Sequence, residues 1–259
     1  MAKKKEPGTA VIPWEQELAA AAKNQSEAPK TGGGDRTFLS FKSGQMSYGD
    51  RPIKENKIDV IILDYAYVNQ FYPNVYNPKA PESPSCYALG RTTAEMAPHK
   101  DAEDPQSELC AKCPQNEWGS RGDGGQGKAC KNGIRLTIMA AGDLAGDIEK
   151  AAIAYVSIPP TSAKSFGAYH KEEFCDEVGS PTKPTYVYTT TIEVVPDKQS
   201  QFKILFSRTK GGDITDRAVF YALRDKVKKL SDDVLFAFPK NADMPKAVKP
   251  GARAAKRKF

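Results

Sequence analysis

Histidine is almost missing from this 259-residue chain: only His99 and His170 occur. Neither stands in an H-x-x-x-H or H-x-E arrangement, so protease-type and deaminase-type zinc catalysis lack their ligand frame. There is no G-x-S-x-G. The glycine-rich run 119–128 lacks the G-x-x-x-x-G-K-[ST] form, because Ala129 follows Lys128. No acidic pair stands out as a general acid and base. The expectation is a protein that is not an enzyme. Long apolar runs are missing too. None approaches the roughly 20 residues that span a bilayer, and the start of the chain has no apolar signal-peptide core. A soluble intracellular protein with no membrane partner is expected.

Hydrophobic residues make up 39% of the chain, low for a globular domain, which leaves part of it for loops and tails. The net charge of +6 is carried by the ends. Lys3, Lys4 and Lys5 open the chain, and the last twenty residues hold seven bases against the single acid Asp243. Basic ends suit a polyanion such as nucleic acid; the plainer alternative is a solvated tail. The organisation read from composition is a flexible basic arm (1–35), a domain (36–238) with an insert at 86–130, and a basic disordered tail (239–259). Within the arm, residues 14–23 favour a short helix after Pro13.

Cysteine is scarce but clustered. Four of the five fall in Cys86-Tyr87-Ala88-Leu89-Gly90, Cys110-Ala111-Lys112-Cys113-Pro114 and Gly127-Lys128-Ala129-Cys130. The spacing is C-x23-C-x2-C-x16-C, and the C-x2-C knuckle offers two thiolates to one ion from a single turn. Four sulfur ligands fit a closed tetrahedral structural Zn2+ site. The insert between them is too polar to build a core, so folding around a metal is physically sensible. A disulfide framework, free thiols, and His99 in place of Cys86 are the alternatives. Cys175 lies apart and reads as a small core residue.

Strands are expected at 37–42, 58–68, 134–139, 151–158, 186–195 and 202–206, and residues 69–84 form a proline-broken loop. In the third strand Ile134, Leu136 and Ile138 share one face and Arg135 the other. A helix over 163–174 follows a Thr161-Ser162 cap. A final helix over 215–230 carries the stripe Val219, Tyr221, Ala222, Leu223, Val227 and Leu230. The fold class is mainly β (α+β): an OB-fold-like small β-barrel with a zinc-binding loop insert, one helix between strands and a C-terminal helix. An open β-sandwich with a zinc loop is the alternative.

Aromatic and basic residues supply candidate contacts to unpaired bases. Tyr65, Tyr67, Phe71, Tyr72 and Tyr76 gather at the end of the longest strand. Lys128, Lys131 and Arg135 bracket the last cysteine of the cluster, Trp118 lies inside the insert, and Lys203 and Arg208 lie on or beside the closing strand. Any single tyrosine of this set reads equally as core.

The cysteine pentapeptide, the C-x2-C-Pro-x-Asn knuckle through Asn116, Trp118-Gly119-Ser120 and Gly127-Lys128-Ala129-Cys130-Lys131-Asn132 together resemble the zinc-containing OB-fold single-stranded-DNA-binding proteins of tailed phages. Pro159-Pro160-Thr161-Ser162 and Tyr188-Thr189-Thr190-Thr191-Ile192 are similar too. The resemblance covers roughly 36–230. It implies sequence-independent binding and protection of single-stranded DNA in phage replication or recombination, in the cytoplasm of a bacterial host. It implies Cys86, Cys110, Cys113 and Cys130 as ligands, and replication or recombination proteins and further copies on DNA as partners. The family commonly ends in an acidic tail, whereas this chain ends Lys256-Arg257-Lys258-Phe259. A zinc-ribbon adaptor or transcription factor that binds a polymerase is the second reading.

Overall fold

The computed structural model describes residues 36–75, 77, 80–122, 125–241. The expected arm with its short helix, Tyr76, and the tail from residue 242 lie outside them. The described residues form a mainly β structure, one curled half-barrel sheet with two helices. In chain order the strands are β1 (Phe38–Lys42), β2 (Gln45–Tyr48), β3 (Arg51–Pro52), β4 (Lys57–Phe71), β5 (Cys86–Gly90), β6 (Lys131–Ala140), β7 (Ile153–Ile158), β8 (Tyr188–Asp197) and β9 (Gln201–Asp213). Helix α1 (Pro160–Phe174) joins β7 to β8, and α2 (Arg217–Lys229) follows β9.

The sheet order is β3-β2-β1-β7-β6-β4-β8-β9, with β5 paired to β4 off that path. All pairs are antiparallel except β1 with β7. The centre is β4, fifteen residues of mostly β-branched and aromatic side chains. One edge of β4 pairs with β6. The other edge pairs with β8 near its start and β5 near its end. A register shift between Ile62 and Asp64 bends the strand between these two sets of partners.

Both faces of the central strands are covered. Val60, Ile62, Leu136, Ile138, Ile192 and Ile204 join Phe166, Tyr169 and Phe174 of α1 in the main core. Ile61, Leu63 and Met139, on the opposite face, pack with Leu223 of α2. Double coverage explains why residues 60–63 read as an unbroken apolar run. In β6, Ile134, Leu136 and Ile138 share the core face as expected and Arg135 takes the other, and that other face is covered too, so the strand is buried from Ile134 to Met139.

Six strands were expected and nine are found. The missed β2, β3 and β5 are short; β2 and β3 hold few apolar residues, and β5 is a four-residue apolar run with no alternation. Cys86 therefore begins a strand rather than lying in a loop. Helix α1 starts at Pro160 with Pro159 at the cap position, and no side chain caps it. Ser162 instead turns inward, and its Oγ accepts a hydrogen bond from the backbone N–H of Ile204 at 3.0 Å, stitching helix to sheet. Asp216 caps α2 by accepting from the Ala218 N–H at 2.7 Å. Of the expected α2 stripe, Leu223, Val219, Val227 and Leu230 face the core, whereas Tyr221 and Ala222 are exposed. Among the described residues no helix is long and apolar enough to cross a membrane.

Two substitutions test this burial. Ile138→Ala empties a fully buried site and should cost about 2–5 kcal/mol in denaturant unfolding. Tyr221→Ala, on the outer side of α2, should stay within about 0.5 kcal/mol of the parent. Equal losses for the two would contradict the placement of α2.

Candidate nucleic-acid interface and metal centre

The sequence brings four cysteines from three places to one spot. Cys86 opens β5 opposite Phe71 of β4. Cys110 and Cys113 flank a tight turn closed by the Cys113 N–H donating to Cys110 O at 3.3 Å. Pro114 begins a second turn, and Asn116 Nδ2 donates back to Cys110 O at 2.9 Å, holding the two turns together. The Cys130 N–H donates to Gln115 O at 2.7 Å, which sets the last cysteine against the knuckle just before β6.

All four cysteines are buried and free of disulfides, and all four line one small cavity of about 10 Å3. That is room for one water-sized particle. Burial pushes the Cys86 and Cys110 thiols up, and neighbouring sulfur adds to the push. Cys130 is pushed up to about 12, first by burial and then by Cys110, Cys113 and Cys86. Each thiolate would therefore repel the others, so two or more together need a cation. Four soft donors around one small cavity fit Zn2+ in the chemistry of the donor set. Among the described residues, however, no group of three or more His, Cys, Asp or Glu side chains stands in a metal-holding arrangement.

His99 does not line that cavity. Its ring stacks on Tyr87 at 5.0 Å, and Nδ1 lies 3.0 Å from Tyr87 Oη and accepts from the Asp101 N–H at 3.1 Å. Histidine here ties the insert to β5. Cys175, half-buried after α1, has its Sγ 3.6 Å from His170 Nδ1.

Beside the cysteines lies a groove of about 620 Å3 between α1, the ends of β4 and β6, and the insert. Tyr65 and Tyr67 share one face of β4 with ring centroids 6.2 Å apart, edge to face, and both line it. Lys128 comes from the insert, its Nζ donating to Asn116 Oδ1 at 3.1 Å. The sequence reasoning missed the rest of the lining: Asn69 and Asn132, joined by a 2.6 Å hydrogen bond, and Phe166 and His170 from α1. The i, i+4 spacing of Phe166 and His170 marked a helix face, but nothing in it said which strand that face met.

The other expected contacts scatter. Phe71 lines the cysteine cavity. Tyr72 lies under Lys131, whose Nζ is 5.2 Å from the ring centroid. Trp118 is 78% exposed on the insert. Lys203 pairs with Asp197 at 2.8 Å on the β8–β9 hairpin. Arg208 pairs with Asp213 and Glu173 and stacks 4.0 Å from the Tyr188 ring centroid. Arg135 is 2% exposed and faces away from the groove, under residues 234–238, which corrects its expected place on an open surface.

Comparison with protein-family models, with curated proteins and with solved structures returns no match to this chain.

His170 gives the groove a pH dependence. Its ring packs 5.1 Å from Tyr65 and 5.5 Å from Phe174, and burial lowers its pKa from the ordinary 6.5. The fold therefore prefers neutral imidazole. This stability is fully present above pH 6.5 and is lost as pH falls through the lowered value, because the unfolded chain takes the proton first. Denaturation midpoints should drop from about pH 7 to pH 5, and the drop should be shallower in His170→Phe. Superimposable acid limbs in the two proteins would exclude this role.

Proposed function

We propose that the chain is a non-enzymatic, zinc-containing protein that binds single-stranded DNA without sequence preference and protects it during replication or recombination. The observation that carries the reading is the convergence of Tyr65, Tyr67 and Lys128 on one groove beside the four-cysteine cluster. Ring faces stack any base, and a cation tracks the phosphates, so this pair of features favours an unpaired strand over a duplex. Zn2+ held by Cys86, Cys110, Cys113 and Cys130 would be structural, fixing the insert that carries Lys128 and Trp118.

The OB-type reading is supported by connection order. Strands β4, β6 and β7, then α1, then β8 and β9 follow one another, with β4 between β6 and β8. One helix between the third and fourth strands of such a set is the OB arrangement. Here β1 pairs in parallel with the outer edge of β7, at Phe38 with Tyr155 and Leu39 with Val156, where a closing strand would lie.

Binding to labelled oligo-dT should weaken steeply with salt, and Lys128→Gln should reduce the log–log slope by about 0.7, the increment for one phosphate on a single strand. Duplex bound as tightly as oligo-dT under the same salt would sink the reading. Metal analysis of the purified chain should give one zinc per chain. Zinc uptake should release protons, and its apparent affinity should fall as pH is lowered, because the buried thiols hold their protons until the ion arrives. A zinc-free chain with full DNA affinity would remove the metal from the mechanism.

A further inference from the structure

The face of the sheet opposite the groove carries a second set of rings and cations, and the chain's own C-terminal segment covers it. Arg135 of β6 and Tyr155 of β7 belong to this face, and Arg36 stands just before β1. Residues 232–241 run across it as a strap. Phe236 sits in a slot between two guanidinium groups, with Arg135 Cζ 3.8 Å and Arg36 Cζ 4.4 Å from its ring centroid. The Tyr155 ring closes the slot edge-on at 4.8 Å. The Phe238 ring centroid lies 4.9 Å from Arg135 Cζ and meets the Tyr87 ring edge to face at 5.0 Å.

Arg135 is the unusual member. It is 98% buried by its 2% exposure, yet among the described residues it forms no ion pair. A second cation, Arg36, shares the Phe236 ring with it and opposes its charge. Nη1 donates to the carbonyls of Val234 and Phe236 at 3.1 and 2.6 Å, both on the strap. Its Nε, and Thr137 Oγ1 two residues along the same face, have no partner. A buried guanidinium with a spare donor, no counter-ion and planar rings on its face lacks an anion and already accepts an aromatic plane.

The strap is held at separable points. Asp232, in the left-handed region at φ 61°, pairs with Arg91 at 3.5 Å. Asp233 accepts from Tyr155 and lies 3.9 Å from Arg36. Asn241 bonds Glu103 and the Ser83 N–H at the far end. Between these anchors, residues 236–240 have no regular structure and no backbone ladder to break. Lifting the strap would free Arg36 and Arg135 together, on one sheet face.

We propose that this β1–β7–β6 face is a second binding surface for single-stranded DNA, with bases taking the places of Phe236 and Phe238 and a phosphate meeting Arg135 as the strap lifts. The inference rests on the single-stranded-DNA reading above and adds to it where part of the strand lies and what competes for that place. Base–guanidinium stacking is sequence-tolerant, as the function requires.

The test uses the full chain and oligo-dT in two measurements. Hydrogen exchange on the unmodified protein should show the Leu235 and Asn241 amides, which donate to Asp232 O and Glu103 Oε1, losing protection at saturating oligo-dT. The double variant Phe236→Ala, Phe238→Ala should bind oligo-dT about tenfold more tightly, because the competent state is no longer a minor fraction. Adding Arg135→Met to that variant should abolish the gain. If the parent binds oligo-dT while the strap stays protected and the variant gains nothing, this inference is overturned and the single-stranded-DNA reading stands. If neither parent nor variant binds, both fall. Binding by the variant alone would support the strap as the cover of this site. The exchange measurement needs no substitution, so a variant that fails to fold leaves it decisive.

Discussion

One strand must belong to two halves of a sheet, and the rest of the molecule follows from how β4 manages it. Its start pairs with β8 and its end with β5, on the same edge, while β6 runs along the other. A straight strand cannot serve both directions. The register shift at Leu63 supplies the bend, since a bulge leaves one residue unpaired and increases local twist. One face of the bent strand packs with α1 and the other with α2. Past the bend, Tyr65 and Tyr67 pack at the edge of the core and line the groove.

The insert between β5 and β6 has little to stand on by itself. Its buried apolar cluster is Ala88, Met96 and Cys110, with Tyr67 packed against it. Backbone bonds from the knuckle to Met96 and Gln115 and the Tyr87–His99 stack give it shape without much burial. The cysteines are then the largest energetic lever in the segment. Protonated, they are small apolar groups; ionised around a cation, they become the strongest bonds the insert can make.

The long periodic elements were legible in the sequence because burial writes itself into residue type. Residues 58–68 announced β4, and Val219, Leu223 and Val227 announced α2. The grouping of the four cysteines was legible from their spacing, and all four line one cavity. What escaped was set by partners distant in the chain. Arg135 alternates with Ile134 and Leu136 and so looked solvent-facing, but the cover on it comes from Val234 and Phe236, about a hundred residues later. Ser162 looked like a helix cap, yet its hydroxyl serves Ile204 on β9. Asn69 and Asn132 gave no pattern at all, since their meeting requires the β4–β6 register.

Two buried cations in this fold make an instructive contrast. Lys226 of α2 donates to the carbonyls of Glu149 and Ala151 at 3.0 and 2.8 Å, with Asp143, Asp147 and Glu149 close enough to favour its charge. Burial still lowers its pKa, but the three carboxylates offset part of that cost, and it fastens α2 to the loop before β7. Arg135 has two carbonyls and two rings, but its electrostatic neighbour is Arg36, and burial lowers its pKa to about 10. Desolvating a cation costs several kcal/mol, and an apolar residue of similar volume commonly serves stability as well or better. Packing alone is thus a weak reason for arginine at this position. The charge makes physical sense if the chain also visits a state in which an anion reaches it, and the strap is what separates the two states.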